Sequence, residues 1–385
     1  MLIISYDSIG DTEFDRLTQY PAFNALYKQA AVFRGVSTVF LSNTYPVHTS
    51  VATGVLPHEH GLISNIEPFP SLKPLWNCDE RMIRAKTIWQ MAAQKGIKTA
   101  AVLWPVTAFS KTIRYNIPEV RPLPGESQIK TSMKAGSPIL QIIMFLRYKK
   151  IMKGYKQPDL DNFSTACMAD ILRRKKPGLA LMHLTAYDSF CHDHGPRSGE
   201  LDEALEAMDR NLKILLDTAE SYEKDIIVFS DHSQINVHTV IDPNLMLVNE
   251  GLLIKTDTGY VQGENSCFFE CGGGSAFFHA GKLNAVQVEK LRGKIEQSEG
   301  FCRMLTPVEM RESGMDKTAF GFCAKAGYCY EPEGTKKKGH HGYPLDIDNY
   351  KVFYMVKGCG LKAGSVSHGG SLLDIAPLVI KYLGL

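Results

Sequence analysis

Four short apolar runs, residues 2–6, 99–104, 178–184 and 225–230, alternate with stretches of helical periodicity at 14–31, 87–96 and 199–222. This rhythm restricts the chain to few architectures. Strands separated by helices build βαβ units, so the expected fold is α/β: a central, mostly parallel sheet with helices on both faces. Residues 31–39 and 352–356 read as further strands, and 372–383 as a terminal helix.

The rhythm breaks twice. Residues 118–160 contain Pro118, Pro122, Pro124 and Pro138 and a basic amphipathic helix at 138–155. That helix is expected to be a lid or surface helix packing its apolar face on the body, with membrane-surface contact as the weaker alternative. Residues 240–330 read as an inserted small α+β subdomain. It would hold a hairpin at 252–261 turning at Asp257-Thr258-Gly259, a strand at 274–279, a helix at 285–297 and a glycine-turned hairpin at 320–330. A chain of 385 residues exceeds the size at which a single core stops growing. The expected division is a catalytic core of residues 1–239 and 331–385, the insert 240–330, and a lid segment at 118–160 within the core.

Charge and hydropathy exclude some partners. The formal net charge is +2, and Lys336-Lys337-Lys338 is too short a run for a nucleic-acid surface. The longest apolar run, residues 139–146, cannot span a bilayer. Met1 leads straight into an apolar strand, which gives a cytoplasmic expectation with no membrane association. Nine cysteines include no C-x-x-C pair and read as reduced.

The chemistry gathers at strand ends. Asp7, Asp188 and Asp231 each follow an apolar run, and in open parallel sheets those ends share the edge where ligands bind. Three carboxylates there would repel unless cations held them. His192 stands four residues after Asp188, His232 directly follows Asp231, and His341 lies in a His-His-Gly turn. Such a set asks for metal. Thr44 lies two residues before Pro46, which reads as the first residue of a short helix ending at Gly54. Backbone N–H groups at that terminus favour an anion.

In this combination the chain resembles the alkaline phosphatase superfamily, and within it the nucleotide pyrophosphatase/phosphodiesterase branch. The resemblance rests on Ile4-Ser-Tyr-Asp7, Asn43-Thr44-Tyr-Pro-Val-His48, Thr53 to Asn65, Asp188 to Pro196, Phe229-Ser-Asp231-His232 and His341-Gly342-Tyr343. It implies two divalent cations, zinc foremost, with manganese or another divalent ion as the alternative. Asp7, Thr44, Asp231 and His232 would hold one, and Asp188, His192 and His341 the other. It further implies Thr44 as nucleophile through a phospho-threonine intermediate, Asn65 as donor to a phosphoryl oxygen, and Tyr45 beside the leaving or nucleoside group. A small phosphate ester, such as a nucleotide diester, is the substrate expected.

Alternatives within the superfamily are a phosphonoacetate hydrolase-like enzyme, disfavoured because no lysine pair stands near Asn65, and a phosphomonoesterase. A sulfatase lacks support because Thr44-Tyr-Pro-Val-His48 departs from its Cys/Ser-x-Pro-x-Arg pattern. A non-catalytic metal- or phosphate-binding protein is the remote alternative.

Overall fold

Residues 1–69, 74–123, 125–152, 154, 156–257 and 259–385 are described by the computed structural model. Pro124, Tyr155 and Thr258 lie outside the described residues. The three central strands, β1 (Leu2–Tyr6), β5 (Leu179–Leu184) and β6 (Ile226–Ser230), are buried at every position. Alternate side chains of a strand point to opposite faces. Leu2, Ile4, Met182 and Val228 enter one apolar core, while Ile3, Leu181, Ile227 and Phe229 enter the other. A strand buried on both faces is mostly apolar, which explains these runs; the buried exceptions are Ser5, His183 and Ser230.

The sheet has eight strands. Adding β2 (Ala31–Val36), β3 (Thr99–Val102), β4 (Tyr115–Ile117), β16 (Val352–Lys357) and β17 (Val366–His368), the spatial order is β17-β2-β16-β6-β1-β5-β3-β4. Only β16 runs antiparallel to its neighbours. On one face lie α2 (Pro21–Gln29), α8 (Asp159–Lys175) and α10 (Leu201–Glu220); on the other lie α3 (Thr44–Thr53), α5 (Ile88–Gln94) and α14 (Ile375–Leu383).

The remaining strands form smaller sheets. β10 (Phe268–Cys271), β11 (Ser275–His279), β13 (Phe320–Ala324) and β12 (Phe301–Met304) make an antiparallel sheet, with α12 (Ala285–Glu296) on its apolar cluster. β7 (Ile235–Ile241) pairs with β14 (Gly327–Tyr330) and β15 (Gly339–His340), and β8 (Leu253–Thr256) pairs with β9 (Gly259–Gln262).

Local readings shift in several places. Pro21 starts α2 after the one-turn helix α1 (Phe14–Leu17), so residues 14–31 hold two helices. Strand β2 stops at Val36 and β3 at Val102, short of the expected ends. β13 and β14 do not form a hairpin: β14 turns away to pair in parallel with β7. In 118–160 the chain makes α6 (Gln128–Ala135) and α7 (Pro138–Tyr148), and α7 sinks only Leu140 and Met144. The expected packing of its apolar face is incomplete, because Ile139, Ile142 and Leu146 face outward. The remaining helices are α4 (Pro57–His60), α9 (Ala186–His194), α11 (Asn244–Asn249) and α13 (Pro307–Glu312).

Candidate metal centre

Register brings the acidic residues level. Tyr6 pairs with both Leu184 and Ser230, so β1, β5 and β6 end at one rim. Asp7 and Asp231 stand directly after β1 and β6. Asp188 sits one step further, in the first turn of α9, where the four-residue spacing puts His192 on the same helix face. His341 arrives from β15, and Thr44 from the start of α3.

The structure places Thr44 inside the helix rather than ahead of it. Asn43 is the N-cap and Pro46 the third helical residue. Proline is tolerated there because the first four N–H groups of a helix have no intrahelical acceptor. The anion-binding N–H expected at this terminus is also partly spent, since Tyr45 N–H donates to Asn65 Oδ1 at 2.7 Å. That bond fixes the Asn65 amide, and its NH2 has no hydrogen-bond partner among the described residues.

Two ligand-like groups result. In each of Asp7/Asp231/His232 and Asp188/His192/His341, one donor atom per residue lies within 4.8 Å of the others. His232 Nε2 is 3.4 Å from Asp7 Oδ1, from Asp231 Oδ2 and from Thr44 Oγ1. His192 Nε2 is 3.4 Å from Asp188 Oδ1. Ser8 bridges the groups: its hydroxyl donates to Asp188 Oδ1 at 2.7 Å and lies 3.1 Å from His232 Nδ1.

The imidazoles are oriented from behind. His192 Nδ1 contacts Gly339 O, and His341 Nδ1 contacts Asn43 Oδ1, each at 2.8 Å. Carbonyl acceptors assign the proton to Nδ1 and leave the Nε2 lone pair free, the arrangement that ligating histidines adopt. Burial pulls His192 down to about 4 and His341 well below its usual range. Both are therefore neutral near pH 7, as ligation requires. Burial, reinforced by Asp188 and Asp231, pushes the Asp7 carboxyl well above the usual carboxylate range.

These groups fit a cation on a further observation. Asp231 is fully buried, and its Oδ1 accepts from Ser8 N–H and His232 N–H. Its Oδ2 has no hydrogen-bond partner among the described residues. A buried carboxylate oxygen left unpaired costs several kcal/mol or demands a positive charge.

Residues beyond the sequence reading support the centre. Gln234 Nε2 donates to Asp188 and Ser8. His48 contacts Thr44 O and Ser5 Oγ at 2.7 Å each, and His183 Nε2 lies 3.3 Å from Asp7 Oδ2. Burial holds both rings near 3, hence neutral. His48 carried a signal in its spacing, four residues after Thr44 on one helix; Ser8, Gln234 and His183 carried none. His340 is buried against Glu331, at 2.9 Å, whereas His194 is exposed at the end of α9.

An open cavity of about 2160 Å³ leads to the centre and includes Asp7, Thr44, Asn65, Asp188, His192 and His341 in its walls. Tyr45 is a fully buried ring in that wall, edge-on to Trp76 at 5.4 Å. Arg121, Lys130, Lys134 and Lys337 also line the cavity, as do Asp79, Glu119, Glu126, Asp193 and Glu331.

Comparison with known proteins gives a consistent picture. A model of the type I phosphodiesterase / nucleotide pyrophosphatase family matches residues 1–311. Human ectonucleotide pyrophosphatase/phosphodiesterase family member 1 is 23% identical over 222 residues, 55% of this chain and 21% of that protein. Venom phosphodiesterase 2 of Crotalus adamanteus is 24% identical over 225 residues, again 55% of this chain and 24% of that one. The match thus spans less than a quarter of these relatives' length. Among solved structures, an inactive variant of murine ectonucleotide pyrophosphatase/phosphodiesterase 5 in complex with AMP superposes with a TM-score of 0.72. It is 16% identical and covers 100% of this chain and 95% of its own. The human counterpart gives 0.73 at 15% identity, with the same coverage.

Proposed function

The chain belongs to the type I phosphodiesterase / nucleotide pyrophosphatase family, and from that premise we propose that it hydrolyses phosphoric diesters, nucleotides among them, at a two-cation centre. Asp7, Thr44, Asp231 and His232 would hold one ion and Asp188, His192 and His341 the other. Nitrogen and oxygen donors at low coordination suit zinc. Such cations supply Lewis acidity, lowering the pKa of a hydroxyl and drawing charge from phosphoryl oxygen.

The chain's own residues do the rest. Thr44 Oγ attacks phosphorus, the bond to the leaving oxygen breaks, and a phospho-threonine forms. Water then attacks the same phosphorus, returning the Thr44 hydroxyl and releasing the phosphate product. Asn65, held by Tyr45 N–H, offers its amide hydrogens to a non-bridging oxygen as charge develops. Ser8, Asn43 and Gln234 keep the donor atoms aimed inward. The Tyr45 ring, edge-on to Trp76 in the cavity wall, would lie beside the leaving or nucleoside group.

One observation carries this reading: Thr44 Oγ1 stands 3.4 Å from His232 Nε2, a member of the first group. Turnover of a chromogenic nucleotide diester, beside the matching monoester, tests it. The diester is expected to be hydrolysed faster, with Thr44→Ala lowering turnover at least about 10³-fold. Faster monoester turnover, or an active Thr44→Ala, contradicts it. The basic side chains of the cavity wall, Arg121, Lys130, Lys134 and Lys337, favour a second reading, a phosphonate bearing a carboxylate. Phosphate release from phosphonoacetate would select it.

A further inference from the structure

Only one face of α7 packs on the core. Leu140, Met144 and Tyr148, spaced by four, face the body, and Arg147 and Tyr148 both bond to Asp170. The opposite face carries Ile139, Ile142 and Leu146, exposed to 75%, 46% and 62%. Leu123, Ile129, Ile143, Phe145 and Ile151 are exposed in the same segment. Thus eight of the eighteen large apolar side chains exposed on the described molecule fall within residues 121–157. Isolated surface apolars need no explanation, but this concentration marks a contact surface.

Charge identifies what would cover it. Residues 121–157 contain eight Lys and Arg against one acid, Glu126, in a chain whose whole formal charge is only +2. Lys130, Lys134, Lys149, Lys150 and Lys156 are exposed and make no ion pair among the described residues. A second copy of the chain meeting this face across a twofold axis would set like charges together. An apolar helix face edged by unpaired lysines instead matches an anionic lipid surface, where the apolar side chains enter the acyl boundary and the lysines meet headgroups. We propose that α7 and its basic flanks dock this protein on anionic membranes. The same segment contributes Leu123, Lys130, Lys134 and Pro138 to the cavity wall, so docking would hold the cavity beside the lipid surface.

Sedimentation of the full chain with phosphatidylcholine vesicles, with and without phosphatidylserine, tests this. Binding is expected only when phosphatidylserine is present and should weaken as salt rises. Ile139→Asp/Leu146→Asp should weaken it by more than about a hundredfold, from the lost apolar burial. Lys149→Gln/Lys150→Gln should weaken it about 25-fold, at roughly 1 kcal/mol per charge. All four positions lie on the outer surface, so turnover of a soluble diester serves as the folding control. Thr44→Ala should bind vesicles like the parent, which separates docking from catalysis. No vesicle binding, equal binding to uncharged vesicles, or a concentration-dependent dimer broken by Ile139→Asp/Leu146→Asp would overturn the proposal.

Discussion

Asp231 Oδ2, buried without a partner, is the atom on which the energetics of the centre turn. Without metal this oxygen is desolvated and unpaired among the described residues; replaced by an amide, it gains a donor 3.4 Å from His232 Nε2. Asp231→Asn should therefore raise the stability of the metal-free protein by about 1 kcal/mol while abolishing the rise in melting temperature expected when zinc is added to the parent. Thermal melts with chelator and with zinc read both effects, and a variant that still responds to zinc would remove Asp231 from the ligand set. Asn65 makes a separate contribution. Under the proposed role, in which its amide donates to developing charge, truncation to Ala should lower kcat by about 10²-fold or more, with a smaller change in KM. An equal rise in KM at unchanged kcat would assign it to ground-state binding instead. At this scale the sequence singled out side chains that the fold brings together, as with Asp7, His232 and Thr44. Ser8 and Gln234 were not, because a hydroxyl and an amide gain meaning only from folding, here across 180 residues to Asp188 in the case of Ser8.

At the scale of elements, α3 and α4 are joined by His60. Its Nδ1 accepts from Leu62 N–H, and its Nε2 lies 2.9 Å from Ser50 Oγ. Both ring nitrogens are thus used by the neutral form, and burial lowers its pKa from 6.5 to about 3. The unfolded chain takes up a proton below 6.5 that the folded ring refuses until about 3. Its contribution is therefore complete above that range and is lost as pH falls through it, by about 1.4 kcal/mol per pH unit. Denaturant titrations at pH 7 and 5 should show a stability loss smaller in His60→Gln than in the parent by about 2 kcal/mol. Identical losses would mean that His60 is protonated in the fold. The elements themselves were readable where burial on both faces left a run of apolar residues with a single serine, as in β1 and β6. The supposed 320–330 hairpin misled because Gly327 serves a strand that crosses to β7, and local turn chemistry cannot report such a distant partner. The outward face of α7 was misjudged for a related reason: amphipathic spacing tells which residues share a face, but not which face the body covers.

For the whole molecule, eight strands place the ends of β1, β5 and β6 on one rim, and smaller sheets deliver His341 from the far end of the chain. The fold was legible because helix and strand alternate so regularly, whereas the pairing of β7 with both β14 and β15 depends on contacts that no local pattern carries. The central claim is that this rim gathers a threonine oxygen and six side chains around two cations. Anomalous diffraction at the zinc edge, from crystals grown with zinc, tests it most directly. Two peaks are predicted, one among Asp7, Thr44, Asp231 and His232 and one among Asp188, His192 and His341. A single peak, none, or ions bound away from Thr44 would contradict the account.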